Sequence, residues 1–151
     1  MKDFFEDFVP GECVIVGSHD VTTQELIQFA STWDPQPKHT DPISAQESQF
    51  KGLIAPGTYT MAISVRLLVA SSVHPIAVVA ALGWDQVRFQ APVRPGDTLT
   101  LSRRCIEARS SESRPEMGIV RNEVIVVNQA GTPVLTFQDS ILVFKRSSGN
   151  V

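Results

Sequence analysis

Cysteine is nearly missing from this chain: only Cys13 and Cys105 occur in 151 residues, far apart and with no C-x-x-C pair or Cys/His ligand spacing. That scarcity gives a disulfide framework or a zinc site no support. It leaves two small side chains expected in the core of a protein from a reducing compartment. Charge of one sign is lacking too, since 13 Lys and Arg against 16 Asp and Glu give a net charge of −3. A nucleic-acid partner draws its affinity from cations clustered on phosphates, so none is expected. No long apolar run exists. The most apolar stretch, Ile76 to Leu82, is far shorter than the ~20 residues of a membrane helix. The first residues, Met1-Lys2-Asp3-Phe4-Phe5-Glu6-Asp7, carry acids where a secretory leader carries positive charge and then an apolar run. A cytosolic protein with no membrane partner is expected. Repeats, charge blocks and Gly/Ser linkers are also missing, which predicts one domain over residues 1–151 with a frayed tail at 147–151.

What is there is 42% apolar and 19% charged, a globular composition. A domain of this length buries roughly 68–70% of the surface its unfolded chain exposes and needs no disulfides. Thr22-Thr23-Gln24-Glu25 opens a first helix, because Thr followed three residues later by Glu resembles a capping box. Leu26, Ile27, Phe29, Ala30 and Trp33 then recur at helical spacing and predict one apolar face. Asp34-Pro35-Gln36-Pro37 ends that helix, since a residue before proline is pushed out of the α region. A second helix is predicted from Thr58 to about Ser72, entered through Pro56-Gly57; its apolar side chains fall on nearly every face, the pattern of a buried helix.

From Trp84 onward the period changes to two. Val87, Phe89, Ala91 and Val93 alternate with Arg88, Gln90 and Pro92; after a turn at Pro95-Gly96-Asp97, Leu99 and Leu101 alternate with Thr98, Thr100 and Ser102. Beyond a polar stretch from Ser110 to Met117 come Val124 to Val127, a turn at Asn128-Gln129-Ala130-Gly131, and a strand from Val134 to Phe144. With an early strand at Val14-Ile15-Val16, this makes about five strands and one buried helix. The fold class is α+β, an antiparallel sheet wrapped around a central helix.

Two segments could carry chemistry. In Asp34-Pro35-Gln36-Pro37-Lys38-His39-Thr40-Asp41 an acid and an imidazole share a loop stiffened by two prolines. Asp34 is oddly placed for structure alone, because a carboxylate at a helix C-terminus meets the negative end of the macrodipole. The pair has the composition of an acid/base dyad around a water; it equally reads as a turn-forming Asp beside a solvated His, and the residues alone leave both open. In Phe50-Lys51-Gly52-Leu53-Ile54-Ala55-Pro56-Gly57, Gly57 places N–H groups at the mouth of the buried helix, where a developing negative charge is favoured. The same Pro-Gly is otherwise the turn that admits the chain to the core. Asp41, followed by Pro42, reads as a structural N-cap. His19 and His74 stand alone and read as surface residues. Arg66 interrupts the buried helix, where a charge needs a partner, an exit to solvent or a dimer seam. Lys38, Lys51, Arg88 and Arg94 read as solvated cations that could also meet the phosphates of a pantetheine carrier.

Taken in order, Asp34-x-x-Pro37-x-His39-x-Asp41, Phe50-x-Gly52-x-Ile54-Ala55-x-Gly57 and Val87-Arg88-Phe89-x-x-Pro92-Val93-x-Pro95-Gly96-Asp97 resemble the MaoC-like dehydratases, which include the (R)-specific enoyl-CoA hydratases on the hot-dog fold. The resemblance covers the chain from about Cys13 to Phe144. It implies that Asp34 and His39 activate a water that adds across a trans-2-enoyl thioester, or eliminate it in reverse, while the Gly57 amide holds the enolate oxygen. It also implies substrate contacts at Gln36, Ile54 and Pro56, an acyl-CoA or acyl-carrier substrate, no metal or redox cofactor, and a homodimer. The family usually has Asn and His where this chain has Gln36 and Pro56. A non-catalytic acyl-thioester binder therefore stands as an alternative. A hot-dog thioesterase, which commonly puts a carboxylate on the central helix, is disfavoured because no Asp or Glu lies between Thr58 and Ser72.

Overall fold

The computed structural model describes residues 3–71 and 75–146. His74, the predicted helix end at Ser72 and the predicted tail at 147–151 lie outside them. The elements are a 3-10 turn Phe5–Asp7, β1 Cys13–Asp20, α1 Thr23–Trp33, α2 Pro37–Thr40, α3 Pro42–Glu47, α4 Gly57–Ala70, β2 Val78–Phe89, β3 Thr98–Ser110, β4 Met117–Val127 and β5 Pro133–Phe144. The strands form one sheet in the order β1-β3-β4-β5-β2, with antiparallel pairing throughout. Several boundaries differ from the sequence reading: β3 runs on to Ser110, and β4 begins at Met117, well before Val124. The early strand runs on to Asp20, and β2 lies earlier than the alternation implied, taking in the apolar stretch from Val78 and ending at Phe89. Residues 90–97 are a connection, since Pro92 and Pro95 cannot donate to a ladder.

Period-two patterning explains the sheet's two faces. Leu99, Leu101, Val124, Val126, Leu135 and Phe137 point inward and form the main core with Tyr59, Met61 and Ile63 of α4 and Leu26 of α1. Farther along the same strands, Cys105, Val120, Ile141 and Val143 form a second cluster covered by Phe8. Between the clusters runs a buried polar row, Arg103, Asn122 and Asp139. Asn122 Nδ2 donates to Asp139 Oδ1 at 2.9 Å, and burial holds the Asp139 carboxyl above its usual range. Arg103 sits 4.8 Å from the Phe8 ring centroid and 3.6 Å from Asp3, so the N-terminal segment supplies both its aromatic cover and a counter-charge. Of the two cysteines, Cys105 is buried as expected and Cys13 is exposed.

α4 is less enclosed than its composition implied. Tyr59, Thr60, Met61, Ile63 and Ser64 are buried, but Val65 and Val69 are 38% and 77% exposed, and Arg66 exits to solvent on the same side. β2 is an edge strand whose Val78, Leu82, Trp84 and Phe89 are all exposed. The described residues therefore wrap the helix on one side only, and leave its all-round apolar pattern without cover on the other.

Candidate active site

α1 begins as its cap predicts, with Glu25 N–H donating to Thr22 Oγ1 at 3.2 Å. The Glu25 carboxylate turns inward and does not complete a capping box: its Oε2 accepts from the Tyr59 hydroxyl at 3.1 Å and lies 2.8 Å from His19 Nε2. His19 is thus paired, against the expectation of a lone surface residue. Leu26 and Ala30 are buried, while Trp33 is 72% exposed and leaves the predicted apolar face. Asp34 is the C-cap, its N–H donating to Ala30 O at 2.8 Å.

The loop expected after Asp34 contains a one-turn helix. Gln36 is extended, as a residue before proline must be, and Pro37 takes the first position of α2, where its missing N–H costs nothing. That turn carries His39 into the core at 4% exposure, so it is not a solvated His. The 53–56 segment holds it there. Ile54 N–H donates to Lys38 O at 3.2 Å, and His39 Nδ1 donates to Ile54 O at 2.7 Å. A carbonyl oxygen only accepts, so Nδ1 bears the hydrogen and a neutral ring keeps its lone pair on Nε2. Nε2 lies 3.6 Å from Asp34 Oδ2, too far for a direct hydrogen bond and suited to sharing a water. Gln36 Nε2 donates to the other oxygen, Asp34 Oδ1, at 2.8 Å, so the amide orients the carboxylate and leaves Oδ2 for the imidazole.

These side chains open on a cleft of about 480 Å³ that Asp34, Gln36, His39, Ile54, Gly57 and Phe89 help to line. Pro56 does not line it. It is buried behind the wall as the N-cap of α4 and accepts from Tyr59 N–H at 3.0 Å. The Gly57 and Thr58 N–H groups have no acceptor among the described residues, as expected of first-turn donors. Gly57 is constrained from outside, because a Cβ there would fall 2.6 Å from the Phe89 ring. Phe89 thus shapes the helix mouth, although the sequence offered it only as one step of an alternating strand. Thr60, a hydroxyl three residues beyond Gly57, also lines the cleft, and nothing in the apolar pattern around it marks it as a site residue.

Other candidates fall into place. Asp41 caps α3, accepting from Ile43 N–H at 3.0 Å and Ser44 Oγ at 2.8 Å, and these bonds, the Ser44 one foremost, hold its carboxyl below the usual range. The Pro95-Gly96-Asp97 turn is structural: Gly96 N–H donates to Val21 O and Val21 N–H to Asp97 O, both at 2.8 Å, which secures the entry to α1. Arg94 donates to Phe50 O at 2.6 Å, Arg88 turns back to Val87 O, and Lys51 is exposed. Of the four cations, only Lys38 lines the cleft, its ammonium 6.0 Å from the Phe50 ring centroid. No cluster of His, Cys, Asp and Glu able to hold a metal occurs among the described residues, and none of their helices is long and apolar enough to cross a membrane.

An antiparallel sheet curled on a central helix defines a hot-dog protein, and its relatives place it with the hydratase and dehydratase family. The MaoC like domain model matches residues 10–128, and the chain belongs to that family. The structure of a MaoC-like dehydratase from Rhodospirillum rubrum is similar at a TM-score of 0.87 and 35% identity, over 95% of this chain and 97% of that one. The unliganded R-hydratase PhaJ1 of Pseudomonas aeruginosa is similar at a TM-score of 0.76 and 26% identity, over 95% and 86%. In sequence, the uncharacterized protein YdeM of Bacillus subtilis is 28% identical over 138 residues, 91% of this chain and 96% of that protein.

Proposed function

We propose that this chain is a hydro-lyase that adds water to a trans-2-enoyl thioester of CoA or an acyl carrier, or removes it from the 3-hydroxyacyl thioester. The observation that carries the reading is the His39 geometry: Nδ1 is committed to a carbonyl, and Nε2 faces both Asp34 and the cleft. A water on the cleft side, bonded to both Nε2 and Asp34 Oδ2, gives one proton to Nε2, and the carboxylate holds its other hydrogen. The hydroxide oxygen bonds to C3 of the enoyl group, and the electron pair of the C2–C3 double bond moves to the thioester oxygen. The Gly57 N–H receives that oxygen at the mouth of α4, where the dipole favours negative charge. Collapse of the enolate takes the proton from Nε2 to C2, so one water is added and the imidazole returns neutral. Gln36 keeps the Asp34 carboxylate turned toward the imidazole, and Ile54 holds the ring. The reaction as written uses no metal or redox group.

The test is hydration of crotonyl-CoA, followed as loss of enoyl absorbance, with Asp34→Asn and His39→Ala beside the wild type. Each variant is expected to lose about 10²–10⁴-fold in kcat. A wild type inert toward short, medium and branched enoyl thioesters, or variants as active as the wild type, rejects the assignment. Thermal stabilisation by the thioester without turnover would favour the non-catalytic binder. Release of free thiol would favour a thioesterase.

The partner we propose is a second copy. Among the described residues β2 is an edge strand with exposed Val78, Leu82 and Trp84, and α4 leaves Val65 and Val69 exposed. Isologous pairing of β2 edges would continue the sheet and cover these apolar side chains.

A further inference from the structure

We propose that the hydrogen bond from Tyr59 to Glu25 keeps the mouth of α4 in register with the helix that ends at Asp34, which makes Tyr59 and Glu25 positioning residues; this rests on the hydro-lyase reading. In α4, Gly57 and Thr60 line the cleft, whereas Tyr59 lies about 200° around the helix from Gly57 and meets α1. Its ring packs edge-on against Phe29, centroids 5.6 Å apart, and its hydroxyl reaches Glu25 Oε2 at 3.1 Å. Phe29 and Glu25 are one turn apart, so a single side chain grips α1 at two points. Asp34 follows on that same rod, capped through Ala30 O. The two groups that must converge on one substrate, Gly57 N–H and Asp34 Oδ2, are thus carried by elements tied together behind the cleft wall.

The choice of residue supports this. Tyr59 is 1% exposed, and a ring that served packing alone could be phenylalanine. Burying a hydroxyl demands an acceptor, and the acceptor here is a carboxylate drawn away from the capping position its sequence pattern suggested. Such a bond is directional and fixes geometry in a way that apolar contact does not. His19 and Arg66 also approach Glu25, at 2.8 Å and 3.9 Å, but neither touches the cleft.

The experiment compares Tyr59→Phe, Glu25→Ala and Glu25→Gln with the wild type in kcat and KM for crotonyl-CoA and in the Gly57 amide resonance of ¹⁵N-labelled protein. Tyr59→Phe keeps the ring against Phe29. It should lower kcat roughly 10–100-fold, the scale of a small misplacement, with KM within about twofold. Glu25→Ala should behave alike, and Glu25→Gln, which retains an acceptor, should stay within about threefold of wild type. The Gly57 amide should shift in the first two variants and return toward its wild-type position in the third. Unmoved Gly57 and Thr60 amides in a folded Tyr59→Phe protein overturn the proposal, as does an unchanged kcat. A wild type without turnover rejects the hydro-lyase reading instead, and the Gly57 amide then decides this inference alone.

Discussion

Among the described residues there are two acid–imidazole pairs, and they are built in opposite ways. Glu25 and His19 are in direct contact at 2.8 Å, and the same carboxylate oxygen also takes the Tyr59 hydroxyl. Asp34 and His39 stand 3.6 Å apart. Their outer atoms are occupied, Oδ1 by Gln36 and Nδ1 by Ile54, so the facing atoms Oδ2 and Nε2 are left for something else. The first pair also receives Arg66, joins β1, α1 and α4, and has no place in the cleft. The second ties up its backs and opens its fronts on that cleft. A satisfied pair holds structure together, whereas the pair whose facing atoms are oriented on the cleft is the one we propose moves a proton.

The largest effect should come from removing each imidazole in turn. His39→Ala should cost about 10²–10⁴-fold in kcat, while His19→Ala should leave kcat within about threefold, as a change away from reacting groups usually does. Parallel crotonyl-CoA assays decide it. Equal losses from the two substitutions would erase the distinction between the pairs.

Next is the mouth of α4. Gly57→Ala puts a Cβ 2.6 Å from the Phe89 ring, so the ring or the helix start must move. A loss of about 10²-fold in kcat, comparable to losing an oxyanion donor, is expected. The same change in a Phe89→Ala background should cost at least about tenfold less, because the clash is gone and the N–H remains. A cycle in which the two changes simply add would show that the Phe89 ring is not what constrains Gly57.

The two pairs also differ in how legible they were. Asp34 and His39 are near in sequence, and the prolines around them mark a shaped loop, so the candidate pair could be named. Its burial could not, because the one-turn helix that begins at Pro37 is held by the backbone of Ile54, which supplies both an acceptor and a donor. His19 and Glu25 belong to different elements and meet only after β1 and α1 pack. The Glu25 signal was read as a capping box because local chemistry permits one; tertiary contact with Tyr59 then claimed the carboxylate. The strand pattern of β3 to β5 was readable because one face is buried and the other is not. β2 was misplaced for the complementary reason: as an edge with exposed apolar side chains it lacks that contrast, and α4 read as wholly buried because sequence does not say which chain covers a face.

That uncovered face gives a third, smaller expectation. Leu82→Glu places a charge on the exposed part of β2, on a residue that does not line the cleft. It should turn a dimer into a monomer at micromolar concentration by light scattering, with the fold retained by circular dichroism. Activity should fall less than for His39→Ala. A wild type that is already monomeric contradicts the second-copy proposal.

The smallest effect concerns the satisfied pair and is read in stability. Tyr59 is the chain's one tyrosine, so phenolate absorbance reports on it alone. Burial, then the charge of Glu25 and the hydrogen bond to it, raise its pKa above the ordinary phenol value, and Arg66 pulls weakly the other way. The folded chain therefore holds this proton more tightly than the unfolded chain does. Its contribution to stability is complete below pH about 10 and is lost as pH rises beyond that value toward the folded-state pKa. The native protein should show no phenolate near pH 10, while protein unfolded in urea should titrate there. Glu25→Gln, which removes the charge and keeps an acceptor, should move the native midpoint down. A native midpoint near 10 would mean that Tyr59 is not held by the Glu25 pair. The contrast with Asp34 and His39 would then rest on their cleft alone.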